Sequence, residues 1–340
     1  MPTRSISNAR NNLFRGLIGI LVGVLFFWLA LRQTSWTEVS QILGTIKTSW
    51  VVGAIAAYIT SICIRTTRWQ KLMWAMKPLP YRSVALALIV GYAMNNLLPA
   101  RLGELFRANF AGRRYNIPRS AVIGSIAIER TLDGLIVVLC LVIGRFFIQS
   151  NPLLNQVTIA GFVLFVGIFL ILLALGHNDQ LGHLVWVPEP ILKRIRSFQG
   201  GLSGLNASLL VPAIALSAIV WLFEMLAQWC ILNALGVSLN WQQLLPLIGV
   251  VSLSTLIPSP PGFVGTFQYA YVSILGLLGY SSAQGIAAAT ATQIFLLGTT
   301  TLAGLGIFVG LSVLGLVRHR QRSYPTQPAS SDSERNLAKK

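Results

Sequence analysis

The sequence predicts an all-α polytopic membrane protein, and three observations carry that prediction. Hydrophobic residues make up 54% of the 340 residues and charged residues 10%, with a mean hydropathy of +0.68, where a soluble domain carries about a quarter charged residues. Several runs, such as Leu13–Leu31 and Val157–Leu175, match the roughly 20 apolar residues that cross a bilayer. Basic residues also collect in a few connecting segments and leave others uncharged, the asymmetry of the positive-inside rule.

Residues 1–12 form a basic N-terminal segment with Arg4 and Arg10. The run 13–31 that follows is too long for the core of a signal peptide, and no small-x-small site follows at Trp28–Gln33. It reads as an uncleaved first helix. Further spans are expected at 50–68, 84–98, 120–148, 157–175, 210–235, 243–257, 264–280 and 284–317, giving a membrane domain over 13–317. Segment 65–82 carries Arg65, Arg68, Lys71, Lys77 and Arg82, and segment 99–119 carries Arg101, Arg107, Arg113, Arg114 and Arg119 against Glu104. Segment 176–209 carries Lys193, Arg194 and Arg196. Segments 149–156, 236–242 and 258–266 carry no charge. The basic segments and both termini are therefore expected in the cytoplasm and the uncharged ones outside, in the cell (cytoplasmic) membrane. Residues 318–340, rich in Ser and Pro, read as a disordered cytoplasmic tail.

Only one apolar run, 84–98, separates the basic segments 65–82 and 99–119. If both are cytoplasmic, residues 83–115 must form a re-entrant helical hairpin with its tip near Asn95–Glu104. The same logic turns 243–280 back at Pro258–Gly265. Two units follow, about 50–148 and 210–317, each with two crossing helices around a re-entrant hairpin and opposite in direction. This is the inverted-repeat arrangement in which broken helices meet near the midplane. Leu98-Pro99-x-x-x-Gly103 against Ile257-Pro258-x-x-x-Gly262 is a faint residue-level echo of it.

The net charge of +17 does not call for nucleic acid as a partner, because cytoplasmic loops alone raise it and no soluble basic domain is present to hold a duplex. Cys63, Cys140 and Cys230 are isolated in apolar runs, and His177, His183 and His319 have no metal-ligand spacing. Phosphate-binding, dinucleotide and hydrolase motifs are lacking, so neither metal nor cofactor is expected.

Polar residues within the apolar runs are the candidate site, because ionisable groups at membrane depth are costly and pair with one another around pathways. Arg101 and Glu104 lie three apart on a half-helix leaving Pro99, whose free N–H groups suit an anion. Arg107 adds a guanidinium for phosphate, and Asn95 and Asn96 add neutral donors. The alternative is that Arg101 and Glu104 lock the hairpin while Arg107 faces lipid headgroups. Glu129 and Asp133, with Arg130 between them, share a helix face as a partner network or a proton relay. Glu224, a lone acid with Gln228 one turn later, is a binding candidate or a structural partner of Gln293 or Thr292. Pro260, Gly262, Gly265 and Gln268 belong to the second tip.

The series Asn95-x-x-x-Pro99-x-Arg101-x-Gly103-Glu104-x-x-Arg107, then Glu129-Arg130-x-x-Asp133, then the Pro-Gly motif at 258–265 resembles the lysylphosphatidylglycerol synthase transmembrane-region family. The resemblance covers about residues 10–317. That family includes the membrane half of the multiple peptide resistance factor, thought to flip aminoacylated phospholipids, and stand-alone members described as glycosyltransferase-like. Its second motif usually reads Pro-Gly-Gly-x-Gly-x-x-Glu, where this chain has Phe263 for the second Gly and Gln268 for Glu. Gln293 stands where the family often has an arginine. The soluble aminoacyl-transferase domain has no counterpart, so the chain is not expected to make lysyl-lipid by itself. The resemblance implies a lipid translocase, flippase- or scramblase-like, handling a polar or anionic headgroup and more a transporter than an enzyme. The alternatives are an intramembrane transferase on a polyprenyl-phosphate-linked sugar and a non-catalytic subunit of a lipid-synthesis complex. Membrane lipids are the expected partners, and a lipid-modifying enzyme fits beside them.

Overall fold

The computed structural model describes residues 24–25, 28, 35–74, 76–98, 102–148, 151–177 and 188–322, with no side-chain description for 153, 204 and 312–322. Most of the expected first span, Pro99 to Arg101 and the tail beyond 322 lie outside these residues. Everything regular among the described residues is helical: α1 Trp36–Gly44, α2 Thr48–Trp74, α3 Tyr81–Leu97, α4 Gly103–Tyr115, α5 Arg119–Gly144, α6 Pro152–His177, α7 Glu189–Gly201, α8 Ala207–Ala234, α9 Trp241–Ser254, α10 Thr266–Leu277, α11 Ser282–Thr292 and α12 Gly298–Arg322. A π-helical turn, Gln293–Leu297, joins α11 to α12. Helices over Thr48–Trp74, Leu154–His177, Ala207–Ala234 and Ser282–Leu311 are long and apolar enough to cross a membrane. The fold is that of an all-α polytopic membrane protein.

Local sequence sets the boundaries. At the start of α9 the Asn240 side chain accepts from Gln243 N at 2.9 Å and Gln243 Oε1 accepts from Asn240 N at 3.1 Å. Ser281 and Gln284 repeat this capping box at α11. Pro80 and Pro118 precede α3 and α5, and Asn116, left-handed at φ 52°, ends α4. The expected connecting segment 65–82 proves shorter, because α2 continues to Trp74 and carries Arg65 and Arg68 inside. Two helices, α1 and α7, fall where the sequence suggested only connections.

Three antiparallel seams order the bundle. Along α2 and α8, Trp50 meets Trp229 edge-on with centroids 5.2 Å apart, Gly53 faces Cys230, and Arg68 reaches Ser217. The first helix of each hairpin then packs on the last long helix of the other half of the chain, α3 on α12 and α9 on α5. These two seams close on small residues, as membrane helices do where backbones approach. Gly304 lies on Ala93 and the Ile89 carbonyl, Gly144 on Pro246, and Gly249 on Leu141.

Candidate functional site

Three helix faces build the site. Ser61, Arg65 and Arg68 share a face of α2, Glu129 and Asp133 a face of α5, and Ser217, Trp221, Glu224 and Gln228 a face of α8, through spacings of three and four residues. Arg68, fully buried, grips Asp133 with both terminal nitrogens, Nη1 to Oδ1 at 2.6 Å and Nη2 to Oδ2 at 3.2 Å. Arg65 donates to Asp133 Oδ2 at 3.3 Å and to Glu224 Oε1 at 3.1 Å, and Ser61 donates to the same Glu224 oxygen at 2.7 Å. Trp221 Nε1 donates to Asp133 at 3.2 Å.

The first hairpin closes over this cluster. Gly103 is required at its tip because a Cβ there would overlap the Asn95 backbone nitrogen and the Gly91 carbonyl. That close approach packs α4 against α3, and α4 also packs on α5. Arg107, fully buried, donates to Glu129 Oε2 at 2.7 Å and stacks on the Trp69 ring. Arg130 donates to Glu129 at 2.7 Å and to the Tyr92 hydroxyl at 3.1 Å, and its Nε lies 3.3 Å from Glu104. Four arginines (65, 68, 107, 130) thus meet four carboxylates (104, 129, 133, 224), and the network of described residues is neutral. Such pairs hold only while every partner is present, since removing one strands a buried charge.

A cavity of about 570 Å³ opens beside the network. Asn95, Asn96, Glu104, Arg130, Asp133 and Glu224 line it, joined by Arg65, Tyr92 and Gln228. Glu104 and Arg130 are its most accessible charges, their side chains 24% and 26% exposed. Arg107 and Glu129 are not among the lining residues and stand behind the wall, tied to each other. Arg101 lies outside the described residues.

The second tip reaches the cavity through Phe263 and Phe267, with Pro260, Gly262, Gly265 and Gln268 forming the turn behind them. Gly262 and Gly265 adopt φ of 72° and 94°, which glycine tolerates without strain. Gln268 Oε1 accepts from Gly265 N at 2.8 Å, its Nε2 donates to Gln293 Oε1 at 2.7 Å, and Gln293 Nε2 donates to the Gly262 carbonyl at 2.7 Å. Gln268 and Gln293, two of the three positions that depart from the pattern of the resembled family, are in direct contact. Asn96, from the first tip, donates to the Leu297 carbonyl at 3.2 Å and to Thr301 at 2.9 Å. The π-helical turn is therefore held at both ends, each by a different hairpin tip.

Glu224 bonds Ser61 and Arg65, neither of the partners expected from sequence; Thr292 instead pairs with Tyr271, which also donates to Gln228. Sequence reading missed Arg65 and Arg68 as site residues, having assigned both to a basic connection. Their spacing from Ser61, one helical face of an otherwise apolar run, was the available signal.

Helices of membrane-spanning length around a buried ion network and a cavity define an integral membrane protein of the all-α polytopic class. Residues 16–304 match the family described as "Lysylphosphatidylglycerol synthase TM region", and the chain belongs to that family. It is 27% identical over 199 residues to a UPF0104 membrane protein of Methanocaldococcus jannaschii, covering 56% of this chain and 82% of the relative. A UPF0104 membrane protein of Methanothermobacter thermautotrophicus is 23% identical over 301 residues, covering 81% of this chain and 89% of that one. The glycosyltransferase AglD of Haloferax volcanii is 24% identical over 345 aligned residues, which take in 87% of this chain but only 54% of AglD.

Proposed function

We propose that this protein moves a lipid with a polar or anionic headgroup across the cell membrane. The observation that carries the reading is the cavity's mixed lining. Charged and amide side chains (Asn95, Asn96, Glu104, Arg130, Glu224) line the same cavity as Leu164, Phe165 and Ile168. A headgroup finds hydrogen-bond partners among the first set while the tails find apolar neighbours among the second. Glu104 and Arg130 receive the headgroup. Arg65 and Asp133 hold the floor, while Arg68, Arg107 and Glu129 brace it from behind. The antiparallel α2–α8 seam and the crossed packing of α3 on α12 and α9 on α5 support two inverted repeats, over about 50–148 and 210–317, with both tips meeting at the site.

Reconstitution tests this. Purified protein in vesicles bearing a trace of headgroup-labelled fluorescent phospholipid should raise the fraction of label reached by a membrane-impermeant quencher, and Glu104→Gln should lower that rise at least tenfold while the protein still purifies as a folded species. Wild-type vesicles indistinguishable from protein-free ones would refute the translocase reading.

A second reading, intramembrane transfer from a polyprenyl-phosphate-linked sugar, is favoured by the similarity to AglD, itself called a glycosyltransferase. Sugar transfer by the purified chain from such a donor would establish it. A supporting role beside a lipid-modifying enzyme would instead give activity only when both proteins are present.

A further inference from the structure

We infer that the cavity has a lateral slot between α4, α5 and α6 that seats an acyl chain of a phospholipid, with the Phe165 ring on Gly134 as its inner stop. This rests on the lipid reading above and adds where the hydrocarbon goes.

The slot is defined by residues that line the cavity and also face outward. Leu105 on α4, Ile123 on α5, Leu164 on α6 and Leu256 after α9 all belong to the cavity wall. They are nevertheless 56%, 36%, 48% and 41% exposed. A wall that is at once cavity lining and outer surface is an opening, and this one is hydrocarbon on every named side. The same cavity is lined by Arg130 and Asp133, whose side chains are 26% and 7% exposed, both less than any of these four apolar residues. Polarity therefore runs one way, from charge inside to apolar surface outside, matching an amphiphile lying across it with the tail outermost. A wholly soluble cargo would gain nothing from this apolar mouth.

The stop is a close contact. A Cβ on Gly134 would overlap the Phe165 ring, so the ring lies directly against the α5 backbone, one residue from Asp133. Phe165 is 7% exposed on a helix that is otherwise largely outward-facing, with Ile159, Phe162, Val163, Ile171 and Leu170 all open. The buried side of α6 narrows to Leu154, Thr158, Gly161, Phe165 and Leu172, one stripe at helical spacing. A helix held by one stripe is the part of the wall that can shift to admit a chain, and the ring marks how deep that chain can reach.

The test needs no transport. Full-length protein in nanodiscs is photolysed with a trace of phosphatidylcholine carrying a carbene precursor in one acyl chain, and adducts are mapped by mass spectrometry. Labelling at 105, 123, 164 and 256 should exceed that at Val211 and Leu302, equally apolar outer positions that are 66% and 74% exposed, by about fivefold or more. Leu105→Trp with Ile123→Trp, both at exposed positions, should return slot labelling to the level of those controls without altering the unfolding temperature. Equal labelling of slot and controls in the wild type overturns the inference, and so does slot labelling seen only with a polyprenyl-phosphate probe. Excess slot labelling in a protein that moves no lipid would leave the slot standing and remove the translocase reading instead.

Discussion

The Arg107 guanidinium sits 3.5 Å from the centroid of the Trp69 ring while its Nη2 donates to Glu129 Oε2 at 2.7 Å. A cation pinned between an indole face and a carboxylate behind the cavity wall is a brace, and its removal leaves Glu129 facing Arg68 and Arg130 without its shortest partner on that oxygen. Arg107→Ala should destabilise the protein by about 3–5 kcal/mol, the cost of stranding one member of a buried pair. Arg107→Lys should recover only part of this, because an ammonium lacks the planar face that stacks on Trp69. Thermal unfolding in detergent reads both; an Arg107→Ala protein of wild-type stability would contradict the brace.

Asp133 accepts from Arg68, Arg65 and Trp221. Asp133→Asn removes the charge that two buried guanidiniums share, so it should cost more stability than Glu104→Gln at the accessible rim. The comparison of the two melting temperatures is the check, and a reversed order would place the keystone at the rim.

At the rim, Glu104 and Arg130 are a quarter exposed and lie 3.3 Å apart, so water compensates much of what either loses. Glu104→Gln should leave unfolding within a degree or two of wild type while lowering lipid translocation at least tenfold. Loss of folding along with activity would instead mark this pair as structural.

Gln268 and Gln293 are expected to behave as one unit. Gln268→Glu keeps the acceptor for Gly265 N but loses the donor to Gln293 Oε1, and flipping the Gln293 amide would sacrifice its bond to the Gly262 carbonyl. Adding Gln293→Arg supplies donors for both. Each single variant should be less stable than wild type and the double variant should recover most of the loss, a coupling of roughly 1–3 kcal/mol in a double-mutant cycle. Additive effects would show the contact to be incidental.

Gly304 and Gly249 allow the crossed seams to close, and a Cβ at either would strike Ala93 or Leu141. Gly304→Leu and Gly249→Leu should each reduce the yield of folded protein sharply, whereas Gly306→Leu, with open space beside it, should not. Size-exclusion profiles of the three variants decide it.

The helices were legible because hydropathy and length alone set them: 157–175 became α6 and 210–235 became α8 with shifts of only a few residues. The polar clusters at Asn95–Glu104 and Glu129–Asp133 were legible as well, since charge inside an apolar run is conspicuous. Their partners were not. Arg65 and Arg68 sit where an apolar helix runs into a basic stretch, and composition cannot tell the last buried cation from the first solvated one. Arg107 was expected to meet a headgroup, yet Trp69, 38 positions earlier in the chain, covers it. The pairing of Gln268 with Gln293 depends on α10 and the π-helical turn meeting in space, which no local pattern encodes.

Four arginines matched by four carboxylates have an electrical consequence. A membrane potential acts on net charge that moves, at roughly 2.3 kcal/mol per elementary charge per 100 mV. A rearrangement that carries this network as a body displaces no net charge, so the resting voltage has nothing in this network of described residues to pull on. Electrogenicity would then come from the cargo or from charges outside the network. Translocation of a net-neutral lipid should proceed at the same rate under potassium diffusion potentials of either sign, and a rate that followed the sign would place an uncompensated charge in the moving parts.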